Sequence, residues 1–145
     1  MNLTIDASVF VSAARPSEKL YPVSYGFLQK VKGEKIFCPT LILAECGAAI
    51  ARPTGGSALS KKLVALVRRF PGLTQIPLNR SLALRASEIA IEDRLRGADA
   101  IYVAVAENLD AVLISWDEEM LQRGPASLVT MNPEDWLVKQ AEKRS

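Results

Sequence analysis

Short apolar runs of strand length alternate with longer segments of helical periodicity along most of this chain. The strand-like runs are Leu3–Ile5, Lys35–Cys38, Leu73–Pro77, Ala111–Ser115 and Leu128–Met131. The segments with helical spacing are Glu18–Val31, Thr40–Arg52, Ala58–Phe70, Leu82–Leu95, Ala98–Asn108 and Pro133–Lys143. Such alternation is typical of a parallel sheet covered by helices. The sequence therefore predicts an α/β fold with a mainly parallel sheet between helical layers.

Several boundaries of these segments carry residues that favour helix ends or loops. Thr40, Asn79 and Asn132 are predicted N-caps, and Pro133 follows Asn132 where a first-turn proline is favoured. Pro53–Gly56 is the clearest predicted loop.

The 145 residues, 49% of them hydrophobic and 23% charged, predict one globular domain over residues 1–145. Charges interrupt every apolar stretch well before the roughly 20 residues that a membrane span needs, and the N-terminus lacks a basic region before its apolar run. We therefore expect a cytoplasmic protein that is not bound to a membrane. Cys38 and Cys46 lie in apolar segments and are predicted to be buried thiols.

The sequence contains no histidine. Catalytic triads with histidine, cysteine–histidine pairs and histidine–metal sites are therefore excluded. An enzyme of this composition must use carboxylates, hydroxyls, lysines or a metal bound through oxygen, and oxygen ligands favour Mg²⁺ or Mn²⁺.

Glu45 is the only charged residue from Thr40 to Ala51, in a helix that is predicted to be buried almost all round. Buried glutamates are normally paired or bound to a metal, because desolvating an isolated carboxylate is costly. The alternative is a Glu45 that reaches the surface or pairs with a buried arginine.

Asp6 and Asp117 each follow a predicted strand, at the sheet edge where parallel sheets bind ligands. Asp6 could instead cap the following segment. For Asp117, the Ser115–Glu118 spacing of a capping box is a local alternative, and Glu118 and Glu119 are neighbouring substitutes.

Asp99 stands near the start of the apolar segment Gly97–Ala106, where the helix dipole favours a carboxylate. A simple N-cap aspartate explains it equally well. Taken together, Asp6, Glu45, Asp99 and Asp117 point toward one side of the sheet, and clustered carboxylates are expected to bind a divalent cation.

The chain resembles the PIN-domain family, and within it the small toxin ribonucleases of the VapC type. The matching segments are Leu3–Ser8, Leu43–Glu45, Gly97–Ala106 and Ile114–Asp117, which together span nearly the whole chain. The resemblance implies a three-layer α/β/α fold, a homodimer and a cognate antitoxin partner. It also implies an Mg²⁺ or Mn²⁺ site, with the four acids as ligands or orienting groups. Ser8 and Ser115 match supporting positions, whereas Trp116 is bulkier than the family pattern favours.

The same resemblance implies hydrolysis of RNA phosphodiester bonds by metal-activated water. Without the four proposed ligands the chain has 18 basic and 12 acidic residues, which suits a polyanionic partner. Arg15 and Arg52 are predicted to bind substrate because they lie close in sequence to site elements. The other basic residues that could line a phosphate-binding surface are Lys19, Lys61, Lys62, Arg68, Arg69, Arg94 and Arg96.

Two other classes of protein compete with the nuclease. One is a PIN-like RNA- or protein-binding module without turnover. The other is a phosphoryl-transfer domain of the receiver or phosphatase kind, against which the Asp6-Ala7-Ser8 sequence argues. The apolar and aromatic segment Leu20–Val31 independently suggests a dimer surface.

Overall fold

The computed structural model describes residues 1–144, which form five strands and eight helices. The strands are β1 (Asn2–Ile5), β2 (Lys35–Pro39), β3 (Leu73–Ile76), β4 (Ala111–Ile114) and β5 (Thr130–Met131). The helices are α1 (Ala7–Ala13), α2 (Tyr21–Val31), α3 (Ile42–Thr54), α4 (Ala58–Arg68), α5 (Arg80–Asp93), α6 (Gly97–Asn108), α7 (Glu118–Arg123) and α8 (Pro133–Arg144).

The five strands pair in parallel in the order β3-β2-β1-β4-β5. The chain first builds outward from β1 to β3 on one side and then returns to add β4 and β5 on the other. Leu3, Thr4 and Ile5 of the central strand are buried because helices cover both faces of the sheet. The order reverses at β1, so the crevice between the carboxyl ends of β1 and β4 is where such a sheet binds ligands.

Helices cover the two faces of this sheet and complete the three layers. Helix α6 packs on β1, β2 and β4 and against α5. Helix α1 packs against α2, α3 and α4, and α8 packs against α2. This arrangement confirms the predicted three-layer α/β/α architecture.

Two short helices, α1 and α7, were not among the predicted segments. Each begins immediately after an aspartate that caps it, Asp6 for α1 and Asp117 for α7. With seven and six residues they span less than two turns, which is too short to show helical periodicity in a sequence. The segment predicted as a helix from Glu18 begins instead at Tyr21.

The predicted caps Asn79 and Asn132 are confirmed by side-chain bonds. Asn79 Oδ1 accepts from the Leu82 amide at 2.9 Å, and Asn132 Oδ1 accepts from the Asp135 amide at 2.8 Å. The predicted cap Thr40 is wrong, because α3 begins after Leu41 without a side-chain cap.

The predicted loop Pro53–Gly56 is wrong in its first half. Helix α3 continues through Pro53 and Thr54 and ends at Gly55, whose φ of 67° is left-handed. The Thr54 hydroxyl donates to the Ile50 carbonyl at 2.7 Å and so satisfies a carbonyl in the last turn.

Cys38 and Cys46 are buried free thiols, as predicted, and burial raises the pKa of each to about 12. Within the described residues, no helix combines the length and apolar character needed to span a bilayer.

Three apolar residues of the predicted dimer segment Leu20–Val31 are buried inside the chain. Phe27, Leu28 and Val31 of α2 are buried, and the Phe27 ring meets Trp136 of α8 edge-on, with 5.2 Å between centroids. Leu20, Tyr21 and Val23 are half-buried, and Pro22 and Tyr25 are exposed. Burial inside the chain therefore explains only part of the apolar composition of this segment, and the homodimer stays a prediction.

Candidate functional site

The carboxyl ends of β1 and β4 place Asp6 and Ser115 side by side. Ile5 pairs with Ile114 in the parallel register, and the Asp6 amide donates to the Ile114 carbonyl at 2.9 Å. Because both strands end here, the side chains that follow them enter the same crevice.

Ser115 joins two of the predicted acids. Its Oγ donates to Asp6 Oδ2 at 2.9 Å and accepts from the Asp117 backbone amide at 2.9 Å. Asp6 Oδ2 also accepts from the Ser8 amide at 3.4 Å, which makes Asp6 the N-cap of α1. Asp6 is therefore both a cap and a buried carboxylate in the crevice.

Burial raises the pKa of Asp6 above its ordinary value. Hydrogen bonds from Ser8 and Ser115 act in the opposite direction, and the nearby Asp117 carboxylate raises this pKa further. The folded chain thus keeps an ionisable group where its charged form is disfavoured.

Asp117 is the N-cap of α7 and not a downstream residue of a capping box. Its Oδ1 accepts from the Met120 amide at 3.0 Å, so the alternative in which Ser115 caps the helix is wrong. Glu118 and Glu119 are exposed on the first turn of α7. Asp117, unlike Glu118 and Glu119, is linked to the other acids of the crevice. It shares the Arg96 guanidinium with Asp99, and its backbone amide bonds to the Ser115 hydroxyl that donates to Asp6.

Asp99 is buried at the third position of α6, where Arg96 is the N-cap residue. The alternative of a simple N-cap aspartate is therefore wrong. Arg96 Nε donates to Asp99 Oδ2 at 3.1 Å, and Arg96 Nη2 donates to Asp117 Oδ2 at 2.7 Å. Burial raises the pKa of Asp99, Arg96 counteracts this, and the Asp117 and Asp6 carboxylates raise it further.

Glu45 is half-buried on α3 and accepts from the Tyr102 hydroxyl of α6 at 2.6 Å. Its partner is thus a phenol and not the buried arginine of the alternative. Burial raises the pKa of Glu45, the bond from Tyr102 lowers it, and the Asp6 and Asp99 carboxylates raise it again.

The expectation that α3 is buried almost all round is wrong. One face is buried through Ile42, Cys46 and Ile50, whereas Ala44 and Ala48 are exposed. Glu45 lies at the border between these faces, so its carboxylate reaches the crevice without being enclosed.

The four predicted acids therefore lie on one side of the sheet and influence one another electrostatically. Their donor atoms are all oxygens, which suits Mg²⁺ or Mn²⁺. In residues 1–144, however, no three acidic or thiol side chains are placed around a common point that could hold an ion. Arg96 and Tyr102 instead form hydrogen bonds with three of the four acids. The carboxylate oxygens are thus suitable ligands for a hard cation, but in this structure they bond to protein groups.

A buried chain of hydroxyls supports the loop that carries Ser115 and Asp117. The Trp116 amide donates to Ser8 Oγ at 3.1 Å, and its ring Nε1 donates to Ser24 Oγ at 2.8 Å. Ser24 Oγ lies 2.7 Å from Ser12 Oγ, and Ser12 donates to the backbone carbonyl of Ser8 at 2.9 Å. The Ser12–Ser24 hydrogen bond, in which either hydroxyl can be the donor, thus links α1 to α2 and to the Trp116 ring.

Sequence reasoning did not single out Ser12, Ser24 or Tyr102, and it placed Arg96 only among general basic residues. Arg96 and Tyr102 flank Asp99 at three residues on either side, so helical spacing around Asp99 was a usable signal. Ser24 lies 92 residues before Trp116, and no local pattern connects them.

The two arginines predicted to bind substrate have different surroundings. Arg15 pairs with Glu18 at 3.1 Å and makes no contact with the four acids in the described structure. Arg52 lies two turns after Glu45 on α3, and both line one open surface depression with Ala48, Ala49 and Pro53. Arg52 is therefore the one of the two that adjoins the candidate site.

Comparison with family models gives a match to the PIN domain over residues 3–124, which is most of the chain. The chain belongs to the PIN domain family. Comparison with curated protein sequences finds no significant match.

Several solved structures share this fold at low sequence identity. VapC20 of Mycobacterium tuberculosis, described as a toxin that cleaves the sarcin–ricin loop, matches with a TM-score of 0.73 and 15% identity, covering 88% of this chain and 98% of its own. PAE2754 of Pyrobaculum aerophilum matches with a TM-score of 0.68 and 23% identity, covering 98% and 96%. VapBC2 of Rickettsia felis, bound to promoter DNA, matches with a TM-score of 0.70 and 14% identity, covering 91% and 98%.

Proposed function

We propose that this PIN-domain chain is a divalent-cation-dependent endoribonuclease that hydrolyses RNA phosphodiester bonds. The observation that carries the proposal is the crevice between β1 and β4, where Asp6, Asp99 and Asp117 lie with Glu45. Burial and mutual repulsion raise the pKa of Asp6, Glu45 and Asp99 together. Neighbouring carboxylates repel one another and disfavour the ionised form, and acids with such perturbed pKa values are typical of functional sites.

Asp6, Glu45, Asp99 and Asp117 would hold Mg²⁺ or Mn²⁺, and such an ion supplies an activated water and stabilises charge on the attacked phosphate. Ser115 orients two of these acids at once through its bonds to the Asp6 carboxylate and the Asp117 amide. Ser8 fixes the loop between them by accepting from the Trp116 amide.

The charge outside the crevice supports a polyanionic substrate. Without the four acids, the chain has 18 basic and 12 acidic residues. Arg52 lies beside Glu45 in the same surface depression, which supports a role for it in holding an RNA phosphate next to the acids. Such a substrate is met in the cytoplasm.

A catalytically inactive PIN-like binding module is the second candidate. It is favoured by one observation, namely that protein donors hold Glu45, Asp99 and Asp117 in the described conformation. The two candidates differ in whether RNA is cut when Mg²⁺ or Mn²⁺ is supplied.

The test is incubation of the purified chain with a mixture of structured and single-stranded RNAs in Mn²⁺, in Mg²⁺ and in EDTA. We expect cleavage in the first two conditions only, and loss of at least about 100-fold in rate for Asp6→Asn and Asp99→Asn. The matched control is Asp110→Asn, an acid outside the crevice that should cleave as the wild type does. RNA binding that survives EDTA, without cleavage under any condition, would favour the binding module.

We further propose that the chain is the toxin of a toxin–antitoxin pair. The structural neighbours include a toxin–antitoxin complex from Klebsiella pneumoniae, with a TM-score of 0.66 and 14% identity. The chain has an apolar cavity of about 280 Å³ between α1, α2 and α4, lined by Phe10, Tyr25, Leu28 and Leu66. Lys32 and Arg69 also line it, so a partner helix with an apolar face and an acidic flank fits.

Co-expression with the protein encoded beside it tests this pairing. We expect a complex that co-purifies and cleaves RNA at least about tenfold more slowly than the free chain. Leu66→Glu, at an exposed position of α4, should release the partner and leave RNA cleavage by the free chain unchanged. A partner that binds Leu66→Glu as tightly as the wild type would place the antitoxin on another surface.

A further inference from the structure

Arg96 is an exposed arginine whose guanidinium is nevertheless fixed between two acids of the crevice. Its side chain is 69% exposed, yet Nε bonds to Asp99 at 3.1 Å and Nη2 bonds to Asp117 at 2.7 Å. The two bonds use two different nitrogens of the planar guanidinium, so Arg96 bridges carboxylates that come from α6 and from the start of α7.

The location of Arg96 is explained by these acids and not by its own helix. Arg96 is the N-cap of α6, where the helix dipole disfavours a positive charge. Its contacts are therefore those of a counter-ion that is drawn to the crevice by Asp99 and Asp117.

We propose that Arg96 exchanges between two positions, bridging Asp99 and Asp117 when the crevice lacks a divalent cation and binding an RNA phosphate when the acids hold one. The inference rests on the proposed nuclease function and adds a phosphate-binding residue to it. The planar fork that matches two carboxylates also matches a phosphate, which makes arginine suited to both positions.

The exchange follows from charge. When Asp99 and Asp117 ligate a divalent cation, the positive charge of the ion offsets much of their attraction for the Arg96 guanidinium and so weakens the bridge. Its exposed side chain remains tethered three residues from Asp99, at the rim of the crevice where a substrate phosphate would lie. Arg96 therefore opposes cation binding in the free protein and assists RNA binding in the loaded one.

The first measurement is Mn²⁺ affinity by titration calorimetry for the wild type, Arg96→Gln and Arg123→Gln. Arg123 is an exposed arginine on α7 that contacts Glu119 at 3.7 Å and none of the four acids, so its substitution controls for the loss of one nearby charge. We expect Arg96→Gln to bind Mn²⁺ about 1.5- to 5-fold more tightly than Arg123→Gln, the range for losing a competing exposed ion pair.

The second measurement is binding of a short single-stranded RNA by fluorescence anisotropy, in EDTA and in Ca²⁺. The exchange predicts that Arg96→Gln weakens RNA binding several-fold in Ca²⁺ and changes it little in EDTA, where wild-type Arg96 is occupied by the acids. Thermal unfolding of each variant verifies that this exposed substitution leaves the chain folded.

Three outcomes overturn the inference. If Arg96→Gln binds Mn²⁺ no more tightly than Arg123→Gln, while the wild type binds it, then Arg96 does not compete with the cation. This result leaves the proposed nuclease function unaffected. An equal loss of RNA affinity in EDTA and in Ca²⁺ makes Arg96 an ordinary surface charge. No Mn²⁺ binding by any of the three proteins overturns both the exchange and the proposed function.

Discussion

Asp6 and Asp99 are buried carboxylates whose surroundings disfavour their charged forms. Asp6 has a hydroxyl and an amide as donors, and Asp99 has one exposed arginine. Neither set of donors offsets burial, since the pKa of each remains raised. These residues therefore lower the stability of the folded chain near neutral pH.

The pH dependence of stability follows from the direction of these shifts. Between the ordinary carboxyl pKa of about 4 and the raised folded values, the folded chain binds more protons than the unfolded chain. The unfolding free energy contributed by Asp6, Glu45 and Asp99 therefore falls as pH rises through this window. We expect Asp6→Asn/Asp99→Asn to flatten the fall and to melt at the same temperature as the wild type or a few degrees higher at pH 7.

The measurement is the melting temperature of both proteins from pH 4 to pH 8, without divalent cations. Asparagine keeps an acceptor oxygen for Ser115 and Ser8, so lost hydrogen bonds do not obscure the effect of charge. A double variant that melts well below the wild type at pH 7 would mean that the carboxylates are stabilising pairs.

The site residues divide into those visible in the sequence and those that only the folded chain reveals. Asp6 and Asp117 follow strand-like runs, and Glu45 interrupts an apolar helix, so local rules single them out. Arg96 and Tyr102 depend on the helical register around Asp99. Ser24 supports the loop through Trp116, and that contact exists only because α2 and the end of β4 meet in three dimensions.

Among the elements, the turns before β2 and β3 fix how these two strands pair. The Gly33 amide donates to the Pro71 carbonyl at 2.9 Å, and the Ile36 amide donates to the Gly72 carbonyl at 3.1 Å. Gly72 has a φ of 85°, and a Cβ there would lie 2.0 Å from the Glu34 carbonyl oxygen. Only glycine fits at Gly72 without moving the neighbouring turn.

Gly72→Ala tests this packing. We expect a loss of about 2–4 kcal/mol in unfolding free energy, because the left-handed backbone and the clash both oppose alanine. Gly33→Ala is the matched control, since Gly33 has a φ of 87° with open space around its Cβ position, and it should lose only about 1–2 kcal/mol. Urea unfolding measures both, and equal losses would show that the close approach at Gly72 is unimportant.

The serine chain between α1 and α2 predicts a coupling between Ser24 and Trp116. Ser24→Ala leaves the Trp116 Nε1 proton without its acceptor and should cost about 1–3 kcal/mol. In a Trp116→Phe background that proton is absent, so the same substitution should cost clearly less. A double-mutant cycle by urea unfolding measures the difference, and strictly additive losses would contradict the hydrogen bond.

The elements also show the limits of sequence patterns. Strand-like runs and long helical segments predicted the parallel sheet, because their periodicity persists over enough residues. Helices α1 and α7 were not predicted because each has fewer than two turns. Helix α3 continues past Pro53 although this proline lacks the amide that would bond the Ala49 carbonyl, and a local rule that ends a helix at proline does not predict this.

On the scale of the whole molecule, strand order brings together acids that are far apart in sequence. Asp6 follows β1, Asp117 follows β4, and β1 pairs with β4 in parallel, so both acids reach the same crevice. The sequence predicted the parallel sheet, whereas the order of its strands, which decides which acids meet, depends on long-range packing.

The homodimer is a separate prediction at this scale. Sedimentation velocity at micromolar concentration should give the mass of two chains. A single monomeric species would contradict the dimer and leave the crevice as described.

The most direct test of the central claim, a cation site built from these acids, is thermal unfolding with and without Mn²⁺. At a concentration about 100-fold above the dissociation constant, Mn²⁺ should raise the wild-type melting temperature by about 5–10 °C and leave Asp6→Asn/Asp99→Asn unchanged. If Mn²⁺ leaves the wild type unchanged, or raises both proteins equally, these acids do not form a cation site.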